Sequence, residues 1–197
     1  MVFRLGLTGS IGMGKTATAR IFAEEGCEVW DADAAVHRAY AEGGGAVEPI
    51  GAAFPEAVEN GAVSREALRR IIARDPDALA RIEAIVHPLV VADRAERAEA
   101  ADADVVVFDI PLLFETGAER EMDAVAVVTA PAEKQRRRVL ARGSMSAADF
   151  EGILARQMPD AEKRARADYV IETDTPEHAR DQVRAILADI RRQTSDA

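Results

Sequence analysis

A chain of 197 residues that is 48% hydrophobic and 30% charged is long enough to close a full core, as one domain with room for an insertion. Its formal net charge of −10 argues against nucleic acid or an anionic membrane as the main partner, and its single cysteine, Cys27, excludes an internal disulfide. The N-terminus has no signal-peptide layout and no apolar run approaches the roughly 20 residues that span a bilayer, so a cytoplasmic protein is expected.

The run Arg4 to Thr8 reads as a short strand that opens into Gly9-Ser10-Ile11-Gly12-Met13-Gly14-Lys15-Thr16, and Lys15 to Glu24 favours helix. Strand, glycine-rich turn and helix in this order form the P-loop pattern, whose glycines let successive N–H groups and a helix N-terminus converge on one anion. Gly12, Met13, Gly14, Lys15, Thr16 and Ala17 are the candidate nucleotide contacts. Lys15 adds a mobile positive charge. The Thr16 hydroxyl can ligate Mg²⁺, whose remaining positions go to water and phosphate oxygens.

Cys27 to Trp30 reads as a second strand ending at Asp31-Ala32-Asp33. A carboxylate just past a strand end in a parallel sheet faces the ligand crevice. Asp33 is the candidate to accept an acceptor hydroxyl's proton or align it for in-line attack, with His37 one turn on along the same helix face. The competing expectation is that both aspartates cap the next helix.

The stretch Ala34 to Ala101 is too long for one crossover helix and holds Gly43-Gly44-Gly45, Phe54-Pro55, Asn60-Gly61 and His87-Pro88. A helical insertion over residues 34–101, covering the ligand edge of the sheet, is expected. Asp104 to Asp109 and Ala124 to Thr129 are near-continuous apolar runs, as strands buried on both faces require, and Tyr169 to Ile171 is a shorter one. Helices are expected over Pro131 to Arg142, Ala147 to Gln157 and Pro176 to about Arg192, with a frayed polar end from Gln193 to Ala197. Asp75-Pro76 and Thr175-Pro176 each place a capping side chain before a proline at a first helical position, and Ser146 with Asp149 resembles a capping box. Strands alternating with helices predict an α/β fold: a three-layer, parallel, five-stranded sheet with ligands beyond the carboxyl ends of its strands.

A P-loop alone specifies nucleotide binding. Guanine recognition would need Asn-Lys-x-Asp, but the only asparagine is Asn60, and Asp109 is followed by Ile110-Pro111-Leu112 instead of a switch Asp-x-x-Gly. Asp149 to Gly152 matches those letters inside a capped helix. The one dense basic patch, Lys134-Gln135-Arg136-Arg137-Arg138 with Arg142, leads to a Gly143-Ser144 turn. Arg138 and Arg142 share a helix face and suit the charge on a transferring phosphoryl group, whereas Arg136 and Arg137 read as a solvated face.

Seven segments recur in one order over nearly the whole chain: Leu7 to Thr16, Asp31-Ala32-Asp33 with His37, His87-Pro88-Leu89-Val90, Pro111-Leu112-Leu113-Phe114-Glu115, Gln135-x-x-Arg138-x-x-x-Arg142, Gln157, and Ala167-Asp168-Tyr169-Val170-Ile171. With them the sequence resembles the dephospho-coenzyme A kinase family. The resemblance implies a P-loop nucleoside/nucleotide kinase fold with a helical acceptor-binding insertion and a lid, here residues 132–158. It implies ATP with Mg²⁺ and transfer of the γ-phosphate to the ribose 3′-hydroxyl of dephospho-coenzyme A, the last step of coenzyme A synthesis. It further implies that Thr8, Asp33, His37, His87, Leu112, Phe114 and Glu115 serve the acceptor. Lys15, Asp33 and Arg142 would serve the chemistry, and Arg138 and Arg142 would close over the triphosphate. Glu172-Thr173-Asp174 stands where many relatives carry Asn and Gly, and Gly143 where an acidic residue is common. A small-molecule partner is implied, with a monomer as the default. The rival expectations are a kinase for another small acceptor and a nucleotide-binding regulator without turnover.

Overall fold

The computed structural model describes residues 2–143 and 145–195. In chain order, β1 (Phe3–Thr8), α1 (Lys15–Glu24), β2 (Glu28–Asp31), α2 (Ala32–Tyr40), α3 (Val47–Ala53), β3 (Val58–Glu59), β4 (Ala62–Val63), α4 (Arg65–Arg74) and α5 (Ala78–Ala100) come first. They are followed by β5 (Val105–Asp109), β6 (Ala124–Thr129), α6 (Ala132–Ala141), α7 (Ala147–Leu154), α8 (Asp160–Arg166), β7 (Tyr169–Glu172) and α9 (Pro176–Ser195). The chain divides into two compact units, one made of the residues up to Trp30 and from Ala101 onward, the other Asp31–Ala100.

The first unit is built on a five-stranded sheet of order β2-β5-β1-β6-β7, in which β1 pairs in parallel with β5 and β6, and β6 with β7. All five expected strands are present, each within a residue of its predicted ends. The pleat sends alternate side chains to opposite faces. On one face Leu5, Leu7, Val107, Ala126, Val128 and Ile171 join Phe22 of α1 and Val183, Leu187 and Ile190 of α9 in one core. On the other, Phe108 meets Trp30 with ring centroids 5.8 Å apart, and Gly6 lies so close to Leu113 that a Cβ there would stand 2.9 Å from its Cδ2. Burial on both faces is why these strands read as runs of valine. Cys27 belongs to the first core, and burial pushes its thiol up to about 11, so it acts as a small apolar filler.

The second unit is mainly helical and has its own core, with Ile50, Phe54, Leu68, Ile71, Ile82 and Val86 among its members. Arg38 on α2 grips Asp93 on α5 through two hydrogen bonds, 3.1 Å from Nε and 2.5 Å from a terminal nitrogen. The Asn60-Gly61 break is the turn of the β3–β4 hairpin, with φ of 51° and 78° as a primed two-residue turn requires.

Several expected boundaries are corrected. His87-Pro88 does not interrupt the insertion: α5 runs through Pro88, and Ala84, whose carbonyl loses its partner there, is exposed to water. Asp75 does not cap α5 but follows α4, accepting from Asp77 N at 3.0 Å, and α5 starts only at Ala78. The helix expected to reach Gln157 ends at Leu154, and the separate helix α8 follows Pro159. Helix α9 continues to Ser195 in place of fraying from Gln193; residues 196 and 197 of that expected tail, and Ser144 of the Gly143-Ser144 turn, lie outside the described residues. The caps at Thr175, which accepts from His178 N at 3.1 Å, and at Ser146, in a reciprocal box with Asp149, are present.

A Cβ at Gly9 would lie 2.4 Å from Val128 Cγ2 and 2.8 Å from the Val128 carbonyl oxygen, and a backbone oxygen in a sheet cannot retreat. Gly9→Ala is therefore expected to cost about 2–3 kcal/mol in urea unfolding, as overpacking does. Gly152→Ala, in α7 with open space around it, should gain roughly 0.5–1 kcal/mol.

Candidate active site

The P-loop leaves the carboxyl end of β1, the strand that has β5 on one side and β6 on the other. Its turn is closed by Met13 N donating to Ser10 O at 3.1 Å, and Gly12 and Gly14 take left-handed φ of 78° and 96°. Neither has room for a side chain: a Cβ on Gly12 would lie 2.5 Å from Val139 Cγ2, and one on Gly14 3.0 Å from Thr173 Oγ1. Gly14 is also the N-cap of α1, which has no side-chain cap and no acidic residue in its first turn. The amide groups at that helix end are thus left to an incoming anion.

Lys15, at the start of α1, pairs with Asp109 at the end of β5, and Asp109 is buried while the lysine side chain keeps 17% of its exposure. Thr16 and Ala17 follow on the exposed side of α1. Thr8 was expected to serve the acceptor, but it is fully buried and its hydroxyl donates to Pro111 O at 3.1 Å, shaping the loop after β5. In that loop Leu112 is 42% exposed, whereas Phe114 is buried under the Arg166 guanidinium, 4.6 Å above its ring. Glu115 is likewise engaged: it pairs with the fully buried Lys163 ammonium at 2.9 Å and accepts from Met158 N at 2.9 Å. Of this segment Leu112 and Glu115 are exposed residues, and the Glu115 side chain is turned to Lys163. Burial alone would raise the Glu115 carboxyl, but the Lys163 ammonium and the Met158 N–H outweigh it and hold it below the ordinary carboxylate range.

On the other side of the P-loop, Gln135 of α6 donates from Nε2 to Ile11 O at 2.8 Å, and Gln157 accepts from Ile11 N at 3.1 Å. Arg138 donates to Thr173 Oγ1 at 2.9 Å and to Thr173 O at 2.5 Å, while the Thr173 hydroxyl donates to Met13 O at 2.6 Å. A cavity of about 440 Å³ opens here, lined by Gly12, Gly14, Ala17, Arg138, Arg142, Thr173 and Pro176 among others. Arg142 is exposed at the end of α6, and Arg136 faces away to pair with Glu151 at 2.9 Å. The sequence names Thr173 only within Glu172-Thr173-Asp174 and does not single out Lys163 or the Lys15–Asp109 pair. The only local signal for Thr173 is its place directly after the last strand.

In the second unit Asp31 caps α2, accepting from Ala34 N at 2.8 Å, so the capping expectation applies to it. Asp33 is exposed in the first turn of α2, His37 lies one turn on, and His87 is exposed on α5. Among the described residues no cluster of three or more His, Cys, Asp or Glu is arranged to hold a metal.

A sequence model described as dephospho-CoA kinase matches residues 3–178. The chain belongs to the dephospho-CoA kinase family. It is 64% identical to the dephospho-CoA kinase of Ruegeria pomeroyi over 191 residues, 97% of both chains, and 63% identical to that of Cereibacter sphaeroides over 195 residues, 99% of this chain and 98% of the relative. A crystal structure from Thermus thermophilus superposes with a TM-score of 0.84 at 36% identity, covering 95% of this chain and 97% of that one. A shikimate kinase from Acinetobacter baumannii, with a TM-score of 0.55 at 20% identity over 98% of this chain and 95% of its own, shares the P-loop kinase fold. The enzyme is thus a phosphotransferase of the last step of coenzyme A synthesis, which displaces both rival readings.

A carboxyl held below its ordinary range stabilises the fold above the unfolded value, near 4.5, and loses that stabilisation as pH falls through the folded one. Glu115→Gln strands a buried ammonium and should cost about 3 kcal/mol in urea unfolding at pH 7. The gap between parent and variant should close as pH drops below 4.5. Lys163→Met should cost less, because Glu115 keeps the Met158 N–H.

Proposed function

We propose that this kinase binds the ATP triphosphate in the P-loop and the adenosine end in the 440 Å³ cavity, and transfers the γ-phosphate to the ribose 3′-hydroxyl of dephospho-coenzyme A. The observation that carries the residue-level reading is the Lys15–Asp109 pair beside the uncapped start of α1. The main-chain N–H groups of Gly12 to Thr16 bind phosphate oxygens, and Lys15 exchanges Asp109 for them. Thr16 is exposed and offers a single hydroxyl, which suits Mg²⁺, a cation that keeps most of its shell as water and phosphate oxygens. When bound, Mg²⁺ supplies charge neutralisation on the transferring group.

Asp33 accepts the 3′-hydroxyl proton as the oxygen attacks, with His37 and His87 serving the acceptor. Arg138, held on Thr173, lines the adenosine cavity. Arg142 reaches the triphosphate oxygens and opposes the charge spread over them in flight. No helix among the described residues is long and apolar enough to cross a membrane, which fits a reaction in the cytoplasm.

With ATP and Mg²⁺ the protein should add one phosphate to the 3′ position of dephospho-coenzyme A; absence of that product by mass spectrometry with folded protein sinks the reading. EDTA should abolish turnover. Lys15→Ala should weaken ATP binding and rate together, whereas Asp33→Asn should leave ATP binding near its parent value and lower kcat roughly 10²- to 10⁴-fold. An Asp33→Asn kcat within a few-fold of the parent would remove the aspartate from the chemistry.

Arg142→Ala should lose about 10²-fold in kcat/KM, about 3 kcal/mol, while Arg136→Ala stays within a few-fold. Arg142→Lys should recover little, since a point charge cannot reproduce the planar fork. Equal small losses at positions 136 and 142 would reduce the patch to a diffuse field.

A further inference from the structure

Ile11 stands at the crown of the P-loop, between Ser10 and Gly12, and both of its backbone polar groups are held by glutamine side chains. Its carbonyl accepts from Gln135 Nε2 at 2.8 Å, and its N–H donates to Gln157 Oε1 at 3.1 Å. Gln135 is buried on α6, and Gln157 sits in the turn between α7 and α8, where its own N–H donates to Leu154 O at 3.1 Å. The two glutamines therefore flank the excursion that carries Arg138 and Arg142. From Gln157 the support continues: the next residue, Met158, donates its N–H to Glu115, which is pinned to Lys163.

We propose that Gln135 and Gln157 are positioning residues for ATP: they fix the orientation of the Ile11 peptides and so hold the P-loop in its anion-binding shape from both ends of the arginine-bearing segment. Neither has to touch a phosphate. An array of N–H groups binds an anion only while successive peptides keep their directions, and the crown of the loop has no ladder partner to keep them. The two glutamines act with opposite polarity, one donating and one accepting, so the pair fixes both the plane and the sense of the Ile11 backbone. This rests on the P-loop being the ATP site.

A charge-matched pair of variants tests it. Gln157→Glu keeps an acceptor against the Ile11 N–H, whereas Gln135→Glu sets a carboxylate against the Ile11 carbonyl. Both place one new negative charge beside the same residue, so repulsion of ATP is common to both and their difference reports the hydrogen bond. The expected result is a Kd and a KM for ATP that rise about tenfold more in Gln135→Glu than in Gln157→Glu, with the KM for dephospho-coenzyme A within twofold of the parent. Equal effects of the two, or a rise shared equally by both substrates, would overturn the proposal in favour of a purely structural role. If either glutamate variant fails to fold, Gln135→Met and Gln157→Met remove the polar atoms at similar volume. At least a fivefold rise in the KM for ATP alone supports the proposal, and an unchanged KM for ATP overturns it. Failure of the unaltered protein to bind ATP in the same Kd measurement would instead remove the ATP-site reading itself.

Discussion

Three neighbouring segments approach the phosphate-binding loop so closely that its glycines leave no room for a side chain. Gly9 lies against Val128 of β6, Gly12 against Val139 and the Gln135 carbonyl of α6, and Gly14 against Thr173 after β7. The loop is therefore wedged among three neighbours, and its shape depends on their positions. Those positions follow from the sheet, because β6 runs parallel to β1 with Thr8 opposite Val127, which brings Val128 level with Gly9. A P-loop glycine here is as much a packing requirement of the sheet as a conformational requirement of the turn.

That constraint explains why the fold was easier to read from the sequence than the site. Valine runs buried on both faces mark β5 and β6 with little ambiguity, and Gly9, Gly12 and Gly14 announce their turn through spacing alone. The errors fall where local chemistry was ambiguous. Asp75-Pro76 has the letters of a helix start, yet the chain needs Asp75 to Asp77 to turn from α4 to α5. The expected helix stops at Gln157, before Pro159, and α8 was missed, although Pro159 with its fixed φ stands where a helix can open.

Site residues were legible as chemical types and not as orientations. Thr8, Phe114 and Glu115 sit in the family's segments, but nothing nearby in sequence says that the Thr8 hydroxyl meets Pro111, that Arg166 covers Phe114, or that Lys163 holds Glu115. Each partner is distant in the chain and close only once α8 and the loop after β5 are in place. Gln135 and Gln157 show the same limit, since their common target, Ile11, carries its information in backbone atoms that every residue shares.

Among the described residues two lysine–carboxylate pairs share the same chemistry, and their surroundings give them different duties. Lys163 is fully buried, and Glu115 is its charged partner; opening that pair would strand an ammonium out of water, so it stays closed and anchors the turn through Met158. Lys15 keeps part of its side chain in solvent at the open end of α1, where an arriving anion can take the place of Asp109 without leaving the ammonium uncompensated. Exchange of one anion for another avoids most of the desolvation penalty that breaking a buried pair would incur. A lysine can serve as a switchable phosphate contact only where a second anion has access to it, and of these two lysines that condition is met at the start of α1.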